Sequence, residues 1–181
     1  MFTPPPMPAW DGLHPLVVHF PVALLLVAPL IVLLSLVLRR HATGLSIAAL
    51  VLMLLGVAGA ILAVETGEAT AELVDRTDAI SKVLEMHSDM AETARTVFAV
   101  LLVLYGLILL APAAWRRMRG GELAKPVVLG ATLVFLAVYA AACLILANTA
   151  HLGGTLVHGY GVRAMMGQLP LGAPVNKADS D

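Results

Sequence analysis

Residues 16–38 read L-V-V-H-F-P-V-A-L-L-L-V-A-P-L-I-V-L-L-S-L-V-L, without one Lys, Arg, Asp or Glu. A helix rising 1.5 Å per residue needs about 20 such residues to cross roughly 30 Å of hydrocarbon. The run is long enough, and it has company. Leu45–Val64, Val97–Ala114 and Val127–Ala147 are built the same way. Irregular backbone cannot face lipid, so the four runs predict four transmembrane helices. The expected fold is all-α: an integral-membrane four-helix bundle with a short periplasmic amphipathic helical segment.

Composition agrees. Of 181 residues, 60% are hydrophobic and 13% charged, against about half and a quarter in soluble domains. Mean hydropathy is +0.92. The length allows one domain, residues 1–166, and the polar, Pro-containing stretch 167–181 is expected to be a flexible tail. A net charge of −1 offers no basic surface for nucleic acid. Cys143 is the only cysteine, which excludes an internal disulfide and a Cys-x-x-Cys-His haem attachment motif. Residues 1–15 carry no Lys or Arg, so the N-terminus does not read as a cleavable signal. Nucleotide-binding glycine loops and His-Glu-x-x-His are absent, and a carrier or subunit is expected rather than an enzyme.

Charge sets the expected orientation. The two short connections hold Arg39, Arg40, Arg116, Arg117, Arg119 and Lys125. The long connection, 65–96, is acidic, with Glu65, Glu68, Glu72, Asp75, Asp78, Glu85, Asp89 and Glu92. Cytoplasmic loops collect Lys and Arg, so both termini and the acidic segment are expected on the periplasmic side of a bacterial inner membrane. Trp115 and Trp10 suit the two interfacial belts. Apolar residues recur among the acids from Ala69 to Met86, predicting one or two amphipathic helices against the outer face. Residues 81–96 should run straight into the third span.

Five of the six histidines map to that same face: His14, His19, His87, His151 and His158, with His41 at the other. Neutral imidazole is a strong ligand for iron, copper and zinc, and helical bundles build cofactor sites from facing helices. The constellation therefore points to a bound metal or haem. His14 and His19 are five residues apart, about 140° around a helix, and cannot both reach one metal. Pro15 suits a first helical turn and puts His14 near the N-cap. Gly153-Gly154 is expected to end the fourth helix between His151 and His158. Gly56, Gly59, Ala60 and Ala63 on the second span, and Ala137, Ala140, Ala141 and Ala147 on the fourth, leave room for a porphyrin or for close helix packing. Met86 and Met90 flank His87, and Glu65 closes the second span. Surface packing and interface charge are the plainer roles for these three.

Two stretches carry a resemblance. Asp11-Gly12-Leu13-His14-Pro15-Leu16-Val17-Val18-His19-Phe20-Pro21-Val22-Ala23-Leu24 resembles the opening of the DUF2231 family of predicted bacterial membrane proteins. Ala150-His151-Leu152-Gly153-Gly154-Thr155-Leu156-Val157 resembles its closing motif. The resemblance spans about residues 11–163 and implies a b-type cytochrome-like protein near respiratory electron transfer. His14, His19 and His151 match the motif histidines. His87 stands in a fitting place before the third span. The family's ending, Leu-Val-Tyr-x-His-Gly, here reads Leu156-Val157-His158-Gly159-Tyr160-Gly161, so the resemblance gives His158 no role.

The expected function is electron transfer through histidine-ligated haem b near the periplasmic face. The ligands are ranked His19 and His151 first, then His87 and His14. One haem is favoured over two, with His14 then a hydrogen-bond donor. A quinone, a periplasmic cytochrome c or a larger respiratory complex would be the partner. The alternatives are a copper or zinc site on the same histidines, or a cofactor-free accessory subunit.

The orientation is directly testable. Reporter fusions at residues 42 and 120 should read cytoplasmic, and a fusion at residue 78 periplasmic. The opposite pattern would carry the histidines to the other side.

Overall fold

The computed structural model describes residues 8–162. The expected flexible tail lies outside them. A 3₁₀ turn, Trp10–Gly12, leads into α1 (His14–Val17) and α2 (His19–Val37), which together form the first span. A second 3₁₀ turn, Arg39–His41, leads into α3 (Ala42–Ala71). Then follow α4 (Asp78–Arg119), α5 (Lys125–Gly154) and a π-type turn, Thr155–Gly159. Among the described residues four helices are long and apolar enough to cross a membrane. The described residues contain no strand.

Local chemistry sets the breaks. Pro15 occupies the first turn of α1, where its missing N–H costs nothing. Pro21 withholds the N–H that Val17 would use four residues on, and the chain loosens at Val18, between α1 and α2. Thr77 caps α4 by accepting from the Ile80 N–H at 3.3 Å. Gly120 ends α4 at φ 69, a left-handed position that suits glycine.

The acidic connection does not lie flat as separate helices. It is taken up by lengthening α3 and α4, and only residues 72–77 fall outside helix. At 1.5 Å per residue α4 is about 63 Å long, roughly twice the hydrocarbon thickness. It runs unbroken from residue 78 through the third span, as the sequence led one to expect for residues 81–96. Gly153-Gly154 does not end the last helix either. α5 includes both glycines, and the chain goes on turning to Gly159.

The bundle is two hairpins. α2 packs most extensively on α3 and α4 on α5, while α2 and α5 touch far less. Close approach in the first hairpin uses its glycines. A Cβ on Gly56 would meet Leu25 at 2.7 Å, and one on Gly59 would meet Pro21 at 3.2 Å. These two glycines therefore serve packing. Ala137, Ala140, Ala141 and Ala147 face outward on α5 and leave no internal room. The core within the second hairpin is aromatic: Tyr105 of α4 stacks on Phe135 of α5 at 5.0 Å, and Phe98 of α4 meets Tyr139 of α5 edge-on at 5.2 Å.

One buried bond repairs a helix defect. Pro29 lies inside α2 and removes the donor that the Leu25 carbonyl would use. The Tyr139 hydroxyl donates to that carbonyl at 2.9 Å from across the bundle. Interhelical bonds in membranes are worth about 0.6 kcal/mol on average and up to about 1.7. Tyr139→Phe should cost near the upper figure, because it leaves a buried carbonyl bare. Pro29→Ala should cancel most of that cost by restoring the helical donor. A double-mutant cycle in a detergent unfolding assay measures this. Equal Tyr139→Phe penalties with and without Pro29 would refute it.

Candidate functional site

His14 opens α1, and its ring turns onto α3, where Nδ1 donates to the Ala63 carbonyl at 2.8 Å. His87 lies on α4, and its Nδ1 donates to the Thr149 carbonyl of α5 at 3.0 Å. Each histidine is thus tied within its own hairpin. The acceptor carbonyls belong to regular helices, and each stands four residues before a glycine, Gly67 and Gly153 respectively. A Cβ on Gly67 would sit 3.0 Å from the His14 ring, and one on Gly153 would sit 3.0 Å from the His87 ring. The same device, an imidazole over a carbonyl beside a glycine, occurs once per hairpin. This is why Gly153 belongs inside a helix.

The two rings meet across the seam between hairpins. Their centroids are 6.4 Å apart and their planes stand at 86°. A cavity of about 80 Å³ opens between them, walled by Val18, Pro21, Ala60, Ala91, Ala94 and Phe98. With Nδ1 donating to a carbonyl, the neutral ring keeps Nε2 as its lone-pair nitrogen. His87 lies beyond the apolar part of α4. Burial pushes its pKa below the ordinary histidine value, against a smaller upward pull from the Thr149 bond and with His14 across the gap adding to the decrease.

The spacing can be compared with metal chemistry. A metal about 2.0–2.1 Å from an imidazole nitrogen lies roughly 3.1–3.2 Å from the ring centre. Two rings on opposite sides of one metal therefore stand roughly 6.3 Å apart. The observed centroid separation is 6.4 Å, with the planes at 86°.

The other histidines are elsewhere. His19 is exposed, with Nδ1 turned back to the Pro15 carbonyl at 2.8 Å. It and His14 fall on different faces, as five residues of helix require. His151, His158 and His41 are also exposed. The structure thus brings together His14 and His87, which the sequence ranked behind His19 and His151. Of the small residues expected to make room, Ala60 and Ala63 do line the cavity. Glu65 and Met86 are exposed, and the Met90 sulfur accepts from Asn148 at 3.9 Å. None of these three reaches the cavity. Arg95, near the end of the acidic connection, also lines it. The usable signals for the pair were Gly67 and Gly153, glycines inside otherwise regular helix.

A family model described as predicted membrane protein (DUF2231) matches residues 11–165. The chain belongs to the DUF2231 family. No curated protein and no solved structure matches it. The DUF2231 match takes in all four spans and all six histidines, and its description names a membrane protein without an activity.

Proposed function

We propose that this chain is a b-type cytochrome-like electron carrier of the bacterial inner membrane, with one haem b held between His14 and His87 at the periplasmic end of the bundle. The observation that carries the reading is the pair of His14 and His87 rings 6.4 Å apart across the seam, each fixed by a main-chain carbonyl.

The donor set favours haem over zinc. Among the described residues no group of three or more His, Cys, Asp and Glu converges, whereas a structural zinc takes four protein ligands. Haem iron needs only two from the protein and brings the rest with it. Haem would supply a one-electron couple. His14 and His87 would fix the ligand planes, since the carbonyl bonds hold the rings and raise their basicity. Ala60, Ala91, Ala94 and Phe98 would keep water out. With His14 and His87 both engaged, the group would serve electron transfer rather than O2 binding.

Size pulls the other way. About 80 Å³ is well under the roughly 300–1,000 Å³ of cofactor sites. A macrocycle would need the two hairpins further apart along their weaker seam, between α2 and α5. That observation favours a second reading, a single soft copper ion held linearly by the same two nitrogens. The positive-inside bias supports periplasmic termini for either occupant. A quinone in the bilayer, a periplasmic cytochrome c or a larger respiratory complex would exchange the electrons.

Purification in detergent followed by a redox spectrum tests the proposal. The expected result is a reducible Soret band at one haem per chain by pyridine haemochrome. Its retention should fall at least ten-fold in His14→Ala and in His87→Ala and be unchanged in His41→Ala. A colourless protein with one copper per chain would support the second reading. A colourless, metal-free protein would exclude both.

A further inference from the structure

A second opening lies on the outside of the bundle, against α3 and α4. It is a shallow, largely apolar groove of about 610 Å³, lined by Ile61, Arg95, Thr96, Ala99, Val100 and Val103, among others. Three observations define what it could hold. Its one charged group is Arg95, half-buried and two residues before the third apolar run begins. The Thr96 hydroxyl is committed to the Glu92 carbonyl at 2.9 Å, which leaves the Arg95 guanidinium as the groove's donor. From Arg95 the groove runs along α4 to Leu104, about 14 Å at 1.5 Å per residue.

A cation at headgroup depth above an apolar channel running into the hydrocarbon is complementary to one kind of molecule. A guanidinium binds phosphate through paired, charge-assisted hydrogen bonds. Ala99 leaves the floor low, and Ile61, Val100 and Val103 offer sides for a chain. We infer that this groove binds an anionic phospholipid from the leaflet at the histidine end, with its phosphate on Arg95 and one acyl chain along α4. Arg95 also borders the cavity between His14 and His87. A lipid phosphate there would hold the arginine at the edge of that cavity. The inference does not depend on what occupies the cavity.

Native mass spectrometry of the purified full chain, titrated with phosphatidylglycerol or with phosphatidylcholine of the same acyl chains, tests this. Wild type should hold phosphatidylglycerol about ten-fold more tightly, equivalent to about 1.4 kcal/mol. Arg95→Gln should remove the preference and Arg95→Lys should keep part of it. Val100→Trp should weaken both lipids without changing their ratio. Helix content and monodispersity are checked for each variant, and Arg95→Lys serves if Arg95→Gln does not fold. Equal binding of the two lipids by wild type would overturn the inference, as would a preference that survives Arg95→Gln. A neutral isoprenoid quinone that displaces phosphatidylglycerol in an Arg95-dependent way would also overturn it and put quinone in the groove.

Discussion

A backbone N–H or C=O without a partner in hydrocarbon costs several kcal/mol, and this constraint runs through every part of the chain. It makes each crossing segment a helix. It explains why the carbonyl left bare by Pro29 is met by the Tyr139 hydroxyl from another hairpin. Thr66, Thr132 and Thr149 likewise turn their hydroxyls back onto carbonyls of their own helices. No buried side-chain nitrogen or oxygen lacks a partner among the described residues. The histidine site obeys the same constraint. An imidazole brought to the end of an apolar bundle must place one nitrogen on an acceptor. The acceptors at hand are helix carbonyls, which have a lone pair to spare.

That solution has a steric condition, which ties the site to the fold. A ring can sit over a helix carbonyl only if the residue four positions on, whose N–H already bonds that carbonyl, keeps out of the way. Gly67 and Gly153 meet this condition in the two hairpins. Each hairpin thereby holds one imidazole, and assembling the hairpins brings the two rings within 6.4 Å of each other, their planes nearly perpendicular. Coupling between the halves is carried by the packing of α3 on α4 and by the Tyr139 hydroxyl on the Leu25 carbonyl, while the aromatic cluster of Phe98, Tyr105, Phe135 and Tyr139 ties α4 to α5 within the second hairpin. The seam beside α2 and α5 is the weaker contact. Any occupant larger than an ion must be accommodated there.

Most of the fold was legible because lipid imposes it: four apolar runs of sufficient length, joined by charged turns, leave one architecture. The gathering of histidines at one end was legible for the same reason, since span ends fix depth. What sequence could not supply is rotation about each helix axis. The span helices are apolar nearly all round, so no polar stripe marks which side faces inward. Ala137, Ala140, Ala141 and Ala147 read as room for a cofactor but face outward. His19 and His151 sit in the more recognisable motifs, yet their side chains are exposed. His87, with the plainer local sequence, is the one turned onto His14. Gly153 read as a helix stop because glycine usually is one, and only the ring packed against it shows the other use. The acidic connection misled in a simpler way. Its apolar recurrence is that of a helix, but continuity with the spans on either side outweighed lying flat on the surface.

The central proposal is that His14 and His87 would hold one metal between them. Their planes stand at 86°, and perpendicular axial imidazoles leave a spectroscopic mark distinct from parallel ones. Low-temperature electron paramagnetic resonance of the oxidised, detergent-purified protein reads that mark. The account predicts a low-spin ferric signal of the strongly anisotropic kind given by near-perpendicular bis-imidazole ligation, abolished by His14→Ala and by His87→Ala. A high-spin ferric signal in the wild type, or a low-spin signal that survives either substitution, would contradict it.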